Sequence, residues 1–264
     1  MLGIDAAWTL SRPSGVAVAA KSRGRWRLIA AVSSYQRFQA LALKQLAESR
    51  PSGSQPSAPA LLSAASLLCG YPIDLVAIDM PLAHLPIIGR RISDDAVSRA
   101  YGRRKCSTHT PSASRPGRIS DELRQGFDHL GYPLQTQQIT SRGLIEVYPH
   151  PALVELASAP ERLPYKASKV FNYWPLLGPL ERRARLYRQW DDIIALLENK
   201  IAGVTKALPR LGAGLRGWEV KAYEDALDAI ICVWVGVCAL EGIAVPFGDE
   251  HSAIWIPTPA AGCR

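Results

Sequence analysis

Apolar positions in the first part of the chain predict three strands and a helix. Short apolar runs occupy Leu2 to Ala7, Gly15 to Ala20 and Trp26 to Ser33, with Gly- and Arg-containing turns between them. Such runs, joined by short turns, are typical of an antiparallel meander. Between Gln36 and Ala47, apolar residues recur at helical spacing, which predicts a first helix.

The next stretch predicts an exposed loop and then the most apolar strand of the chain. Arg50 to Pro59 is rich in Pro, Ser and Gly and indicates a loop inside a domain, and Ala60 to Cys69 predicts a helical turn or two. Ile73 to Met80 is a nearly continuous apolar run that stops at Pro81. This pattern is typical of a strand buried on both faces of a sheet.

The second half of the chain alternates strand and helix patterns. Leu144 to Tyr148 predicts a strand, and apolar residues from Leu180 to Leu197 predict an amphipathic helix with an arginine-rich outer face. Glu219 to Leu240 predicts a largely buried helix, and Ala253 to Pro257 predicts a short strand or a segment packed on the sheet. We therefore expect a single α/β domain over residues 1–264.

Positive charge is concentrated in the middle of the chain. The protein has 264 residues, 48% of them hydrophobic, and a formal net charge of +8. Arg90 to Arg124 contains nine basic and four acidic residues, within an irregular insertion that we place at about 84–140. A basic field of this kind attracts polyanions such as nucleic acids, but a solvated basic loop that keeps the protein soluble explains it equally well.

Cysteine usage and hydropathy indicate a reduced, cytoplasmic protein without a membrane segment. The longest uncharged apolar run, Ala229 to Leu240, is shorter than the roughly 18 to 20 residues that cross a bilayer. The sequence starts without an apolar leader. The five cysteines are scattered and form no CxxC pair: Cys69, Cys106, Cys232, Cys238 and Cys263.

Two aspartates interrupt apolar strands near their carboxyl ends. Asp5 and Asp79 occupy these positions, and a buried carboxylate is costly without a partner. Ligands of open α/β sheets bind at the carboxyl ends of strands, where such side chains can converge. The alternative for each aspartate is a turn or helix cap directly after the strand.

A second pair of aspartates lies at helical spacing in the last helix. Asp225 and Asp228 are three positions apart, so both project from one face. Acidic residues near a helix N-terminus are favoured by the helix dipole, which is the alternative explanation. Asp228, however, directly precedes the apolar run, where an exposed dipole-stabilising residue is not expected.

Four carboxylates from three elements indicate a site for divalent metal. Mg²⁺ and Mn²⁺ prefer oxygen ligands, and two such ions about 4 Å apart activate water and stabilise the leaving oxygen of a phosphodiester. We predict Asp5, Asp79, Asp225 and Asp228 as the metal ligands. Glu146, within the strand Leu144 to Tyr148, is either a fifth member or an outward-facing residue of an alternating strand.

The order of these elements resembles the RNase H-like superfamily. Six strings that span nearly the whole chain carry a narrower resemblance: GIDAA, AIDMPLA, GRRISDDAVSRAYGRR, IEVYPHPAL, LPYK and YEDALDAIICVW. In this order they look like the family named domain of unknown function 429. The family is described as predicted nucleases of RNase H fold. The resemblance implies a mixed sheet, with three antiparallel strands followed by parallel strands, flanked by helices.

The D-x-x-D of the last helix is similar to that of the bacterial Holliday-junction resolvases. In those proteins a first-strand Asp, a fourth-strand acidic residue and two helix Asp residues hold the metals, which correspond to Asp5, Asp79, Asp225 and Asp228. The fourth-strand residue is usually Glu in the resolvases, and the shorter Asp79 changes the expected metal geometry. Resolvases act as dimers, so a homodimer is one assembly that the resemblance allows.

We therefore expect metal-dependent hydrolysis of phosphodiester bonds in DNA or RNA, with Glu146 as an auxiliary ligand or proton acceptor. Two alternatives remain at this point. One is a non-catalytic RNase H-like protein that binds nucleic acid, and the other is an actin-like or sugar-kinase-type ATP-dependent phosphotransferase, whose glycine-rich loop has only a weak candidate in Gly212 to Gly217. The residues expected to position phosphates are Arg91, Arg99, Arg103, Arg104 and Lys166.

Other chemistries have little support in the sequence. Cys106 and His109 are spaced like half a zinc site, but no second pair has suitable spacing. The sequence contains no GxSxG nucleophile motif, no GxxxxGK[ST] phosphate loop and no GxGxxG dinucleotide motif.

Overall fold

A seven-stranded mixed sheet forms the centre of the computed structural model, which describes residues 1–140, 142–212 and 214–258. In chain order the strands are β1 (Leu2–Asp5), β2 (Gly15–Ser22), β3 (Arg25–Val32), β4 (Leu75–Asp79), β5 (Gly143–Val147), β6 (Ala244–Gly248) and β7 (Ala253–Pro257). Across the sheet their order is β3-β2-β1-β4-β5-β7-β6.

The first three strands are antiparallel, and β1, β4, β5 and β7 are parallel neighbours. The edge strand β6 pairs antiparallel with β7. This arrangement confirms the predicted α/β fold class, with its three antiparallel strands followed by parallel ones.

Helices cover both faces of the sheet. They are α1 (Tyr35–Ala42), α2 (Ala58–Cys69), α3 (Ile92–Tyr101), α4 (Arg118–Asp128), α5 (Pro149–Leu156), α6 (Val170–Tyr173), α7 (Pro179–Glu198), α8 (Val204–Ala207) and α9 (Gly217–Leu240). Short 3₁₀ turns at Gly102–Arg104 and Ala167–Lys169 complete the helical structure of the described residues.

Each face of the sheet carries its own apolar core. Trp190 of α7 and Leu227 of α9 lie in the core on one face, which we call the α9 face. Phe38 of α1, Leu61 of α2 and Phe127 of α4 lie in the core on the opposite face. Because both faces of the central strands are covered, their sequences read as nearly continuous apolar runs.

Side chains alternate between the two cores along each central strand. Ala77 contacts the core of the α9 face, and Ile78 contacts the opposite core. Ile4 of β1 also contacts the opposite core. Since successive side chains of a strand point to opposite faces, Asp5 and Asp79, which follow Ile4 and Ile78, both lie on the α9 face.

The segment at about 84–140, predicted as irregular, contains the two helices α3 and α4. Val97 and Tyr101 of α3 are buried beside β7, and Leu123 and Phe127 of α4 are buried against the opposite face of the sheet. Helices of this length depend on tertiary packing for their stability. Because a few buried residues are enough to stabilise such short helices, the sequence shows no sustained helical repeat of apolar positions.

Two predicted helix boundaries differ from the structure. The first helix ends at Ala42 instead of Ala47, because Lys44 has a left-handed φ of 55° that is incompatible with a continuing helix. The second helix has 12 residues instead of a turn or two. Its ends are capped by the Ser57 side chain and by Gly70, whose φ is 76°.

The carboxyl-terminal part of the chain contains one strand that the sequence does not predict. Ala253–Pro257 forms strand β7, and the partly exposed β6 pairs with it at the edge of the sheet. The described part of the chain contains no helix that is both long and apolar enough to cross a membrane. Of the five cysteines, Cys263 lies outside the described residues.

Candidate functional site

Two of the predicted carboxylates are direct neighbours in the sheet. Asp5 and Asp79 are the last residues of β1 and β4, and their Cα atoms are partners in the parallel register. Adjacent strands lie about 4.8 Å apart, so the two side chains emerge side by side at one end of the sheet. Among the described residues, none donates a hydrogen bond to either carboxylate.

Helix α9 brings the second pair to the same place. A Cβ atom at Gly15, the register partner of Asp5 in β2, would overlap the backbone carbonyl of Asp225. A Cβ atom at Gly3 would overlap the backbone of α9 at Ala229. Because neither glycine has a side chain, α9 packs directly on β1 and β2 and places Asp225 and Asp228 beside Asp5.

Asp228 is fully buried and both of its oxygens are engaged. The Tyr165 hydroxyl donates to Oδ1 at 2.8 Å, and the Lys166 ammonium donates to Oδ2 at 2.5 Å. Both donors come from the segment between α5 and the short Ala167–Lys169 turn. Asp228 therefore anchors this segment against α9.

A second lysine balances the charge at the start of α9. Lys221 forms ion pairs with Asp225 and, at 2.9 Å, with Glu224. Glu224 also accepts a hydrogen bond from the Ala167 amide at 2.5 Å, and Lys166 lies 3.9 Å from it. The other oxygen of Asp225, Oδ2, is buried without a hydrogen-bond partner.

Burial and mutual repulsion raise the pKa values of the carboxylates. The pKa of Asp5 lies well above its usual value because of burial first and the charge of Asp228 next. Burial raises the pKa of Asp79 to about 7, although Lys166 opposes the shift, and raises that of Asp225 to about 6 against the effect of Lys221. A nearby cation would therefore stabilise the ionised form of each of these carboxylates.

The two lysines remain charged in this environment. Burial alone lowers the pKa of Lys166, but the charges of Asp228, Glu224 and Asp5 outweigh burial and raise it. The pKa of Lys221 rises in the same way. The site therefore holds two fixed ammonium groups among five carboxylates.

The donor set suits Mg²⁺ or Mn²⁺ at Asp5 and Asp79. In the part of the chain that the structure describes, no three His, Cys, Asp or Glu side chains are already arranged to hold a metal ion. Mg²⁺, however, is commonly bound through one or two carboxylates together with waters and substrate phosphates. Asp5 and Asp79 offer such a pair, and the unpartnered Oδ2 of Asp225 adds a third oxygen nearby.

Glu146 points to the face opposite α9, but it lines a cavity that Asp79 and Lys166 also line, and its charge helps to raise the pKa of Asp79. Ile145 and Val147 of β5 contact the core of the α9 face, so Glu146 points the other way. Its Oε2 accepts hydrogen bonds from the Leu82 amide at 2.7 Å and from Arg91 at 2.5 Å, and its Oε1 accepts from Arg91 at 2.8 Å. Glu146 is 4% exposed, so the interpretation of an outward-facing residue is wrong.

The five predicted phosphate-binding residues lie in three different settings. Lys166 lies among the aspartates and donates to Asp228. Arg91 is 8% exposed and binds Glu146, Asp94 and the Leu82 carbonyl, which engages every donor of its guanidinium.

The other three predicted phosphate-binding residues lie away from the carboxylates. Arg104 forms an ion pair with Glu155 at 2.5 Å and donates to the Ala159 carbonyl at 2.7 Å. Arg99 and Arg103 are exposed, and neither lines the cavities beside the carboxylates.

A cleft of about 700 Å³ opens over the carboxylates and is lined by basic residues that are not among the five predicted to position phosphates. Arg12 and Arg115 are exposed on its rim, and the Arg115 guanidinium lies 5.9 Å from the centre of the Trp8 ring. Arg12 and Trp8 belong to the loop after β1. A loop that follows a strand ending in a functional carboxylate is the signal that could have identified them.

Two weaker candidates lie elsewhere. Cys106 is buried and its thiol donates to the Arg104 carbonyl, whereas His109 is exposed. The segment from Gly212 to Gly217 precedes α9, and its described residues line neither cavity beside the carboxylates. Ala213, within that segment, lies outside the described residues.

Comparison with known proteins identifies a family and nothing more specific. No curated protein and no solved structure matches the chain. A sequence family described as "Protein of unknown function (DUF429)" matches residues 3–252. Because this match covers nearly the whole chain, the protein belongs to the DUF429 family.

Proposed function

We propose that this protein is a metal-dependent nuclease that hydrolyses phosphodiester bonds of DNA or RNA. The observation that carries the proposal is the pairing of Asp5 with Asp79 in register at the carboxyl ends of parallel strands, with Asp225 and Asp228 on the same face. Asp225 and Asp228 pair with Lys221 and Lys166, but Asp5 and Asp79 have no such partner, and the repulsion among the four carboxylates costs stability that a bound cation would offset.

The metal would be Mg²⁺ or Mn²⁺, held by Asp5 and Asp79 with Asp225 close by. When bound, such an ion supplies charge stabilisation at a phosphoryl group and a water nucleophile at neutral pH. A second ion at Asp228 would have to displace Lys166, because both oxygens of Asp228 are engaged. We therefore favour one divalent ion over the two that the sequence predicts.

Lys166 has a defined part in this proposal. Its ammonium carries three donors, of which one binds Asp228 and another faces Glu224. The remaining donor is available to a phosphate oxygen at the carboxylates. Lys166 would thus hold the charge of a scissile phosphate at the position where the sequence places a second metal ion.

The rim of the cleft suits the rest of a nucleic-acid strand. Arg12 and Arg115 are exposed at the cleft, and Lys221 also lines it. Basic side chains around the opening offset the negative field of the aspartates and would contact phosphates beside the scissile one. The net charge of +8 favours the same class of ligand.

The test is cleavage of labelled single-stranded, duplex, hybrid and branched DNA and RNA with Mg²⁺, with Mn²⁺ and with EDTA. We expect metal-dependent cleavage that Asp5→Asn and Asp79→Asn each lower by about 100-fold or more. The exposed Asp192→Asn is the matched control and should cleave as the wild type does.

Three results would contradict the proposal. Cleavage that survives both Asp5→Asn and Asp79→Asn would place the chemistry elsewhere. Binding of nucleic acid without cleavage under all conditions would favour the non-catalytic alternative. Turnover of nucleoside triphosphates alone would favour the phosphotransferase alternative.

A further inference from the structure

A second, smaller cavity adjoins the cleft. Its volume is about 160 Å³, and Asp79, Trp8 and His109 line both spaces. The small cavity extends from Asp79 towards β5, with Tyr148 and His150 on its wall. A ligand in the cleft therefore lies directly beside this space.

The size and the walls of the cavity suit one flat ring. An engineered apolar cavity of about 150 Å³ in another protein binds a single benzene ring. Here four rings, Trp8, Tyr148, His150 and Tyr165, form one part of the wall, and charged side chains that include Asp79, Glu146 and Arg91 form another. The rings of Tyr148 and Tyr165 each lie 5.4 Å from the His150 ring in edge-to-face contact, which fixes the position of all three.

His150 provides a polar group without a partner in this wall. It is 7% exposed, and no described residue forms a hydrogen bond with its imidazole, whose Nδ1 is fully buried. Burial, and then the charge of Lys166, lowers the pKa of His150 well below its usual value. Because Nδ1 has no accessible surface, only Nε2 can reach a ligand; a neutral imidazole carries its proton on either nitrogen, so Nε2 can donate to a carbonyl or accept from an N–H group.

We propose that this cavity receives one unstacked pyrimidine base of a single-stranded or locally opened nucleic acid. The inference rests on the proposed nuclease function, because the phosphate attached to that base would lie at Asp79 and in the cleft. Enzymes that act on bases or strands commonly accept an extruded base between aromatic side chains. A single-ring pyrimidine is close in size to the one ring that a cavity of this volume binds, and a two-ring purine is larger.

The experiment measures binding to the full-length protein by fluorescence anisotropy in EDTA, so that cleavage does not interfere. The probes are labelled oligothymidylate, oligoadenylate and an abasic oligomer with the same number of phosphates. We expect oligothymidylate to bind about tenfold or more tightly than the abasic oligomer, with oligoadenylate between the two.

Cavity variants test whether the base lies in this space. Thr108→Phe places a ring in the cavity and should reduce the affinity for oligothymidylate to that for the abasic oligomer. His150→Phe keeps a ring of similar size and should lose part of the preference for thymidylate over adenylate. Tyr71→Leu is the control, because Tyr71 is 72% exposed and lies outside the cavity.

The outcomes separate this inference from the proposed function. Equal binding of oligothymidylate and the abasic oligomer, or an unchanged preference in a folded Thr108→Phe protein, overturns the base pocket even where metal-dependent cleavage is observed. A thymidylate preference that Thr108→Phe abolishes supports the pocket, even if no substrate is cleaved. Near-ultraviolet circular dichroism of each variant confirms that it is folded.

Discussion

At the scale of single residues, Lys166 occupies a position that a divalent ion would need in the proposed metal site. Asp228 is buried, and Tyr165 and Lys166 occupy its two oxygens. An ammonium group and a divalent cation satisfy the same carboxylate, but they cannot do so in the same position. In the proposed metal site, the residue at position 166 would therefore decide how many divalent ions the aspartates bind.

We predict that Lys166→Met destabilises the metal-free protein by about 3 kcal/mol, because it leaves a buried carboxylate without its charged partner. Mn²⁺ should restore much of the lost stability, and the number of bound Mn²⁺ ions should rise from one to two. Urea unfolding with and without Mn²⁺, together with Mn²⁺ titration followed by electron paramagnetic resonance, measures both effects.

Lys105→Met is the matched control for this prediction. Lys105 is 67% exposed and forms an ion pair with Glu161 at the surface. Its loss should change neither the stability of the metal-free protein nor the number of bound Mn²⁺ ions. The competition between lysine and metal is refuted if Lys166→Met and the wild type have the same stability in EDTA and the same Mn²⁺ stoichiometry.

A second residue-scale prediction concerns Arg91. Its side chain binds Glu146 and Asp94, both of which are buried. Arg91→Ala should therefore lower the free energy of unfolding by about 3–5 kcal/mol, because two carboxylates lose their partner. Arg99→Ala, on the exposed side of helix α3, should change the free energy of unfolding by less than about 0.5 kcal/mol. Similar urea midpoints for the two variants would show that Arg91 is not structural.

At the scale of elements, the contact of α9 with β1 and β2 positions the site. Gly3 and Gly15 allow the helix backbone to lie directly on the strands. The sequence predicts both the strands and the helix, as well as the carboxylate at each of their relevant positions. The sequence does not predict that α9 lies directly on β1 and β2, because a glycine in an apolar strand is compatible with a bulge, a bend or a close contact.

We predict that Gly15→Ala destabilises the protein by about 1–3 kcal/mol, since the added methyl group overlaps the Asp225 carbonyl and pushes α9 outward. The same variant should weaken Mn²⁺ binding, because Asp225 moves away from Asp5. Gly89→Ala is the control, because a Cβ atom there meets no neighbour. Calorimetric Mn²⁺ titration and thermal unfolding of both variants check the two effects, and normal Mn²⁺ affinity in Gly15→Ala would contradict this account.

Other elements were less predictable, for physical reasons that differ. The face of Glu146 cannot be read from the sequence, because β5 is apolar on both faces and alternation gives no direction. The edge strand β6 is partly exposed and carries Pro246, so its sequence lacks a strand pattern. The lysine contacts of α9 depend on how the segment around Tyr165 folds back, which local sequence does not determine.

At the scale of the whole molecule, charge is distributed differently from what the sequence suggests. The most basic stretch of the sequence lies between Arg90 and Arg124. Within it, however, Arg91 and Arg104 form ion pairs with the carboxylates of Glu146 and Glu155. Of the cationic groups at the cleft, Arg115 belongs to this stretch, whereas Arg12 follows β1 and Lys221 belongs to α9. Net charge along a segment therefore does not show which of its cationic side chains remain free at the surface.

The last prediction separates these two surfaces by their response to salt. Each cationic side chain that contacts a phosphate of a single strand contributes about 0.7 to the slope of log affinity against log salt concentration. Arg12→Ala and Arg115→Ala should each reduce the slope for oligothymidylate by roughly that amount, whereas Arg99→Ala should leave it unchanged. Anisotropy titrations over a series of NaCl concentrations give the slopes. A reduced slope in Arg99→Ala together with wild-type slopes in the two cleft variants would move the phosphate path from the cleft to α3.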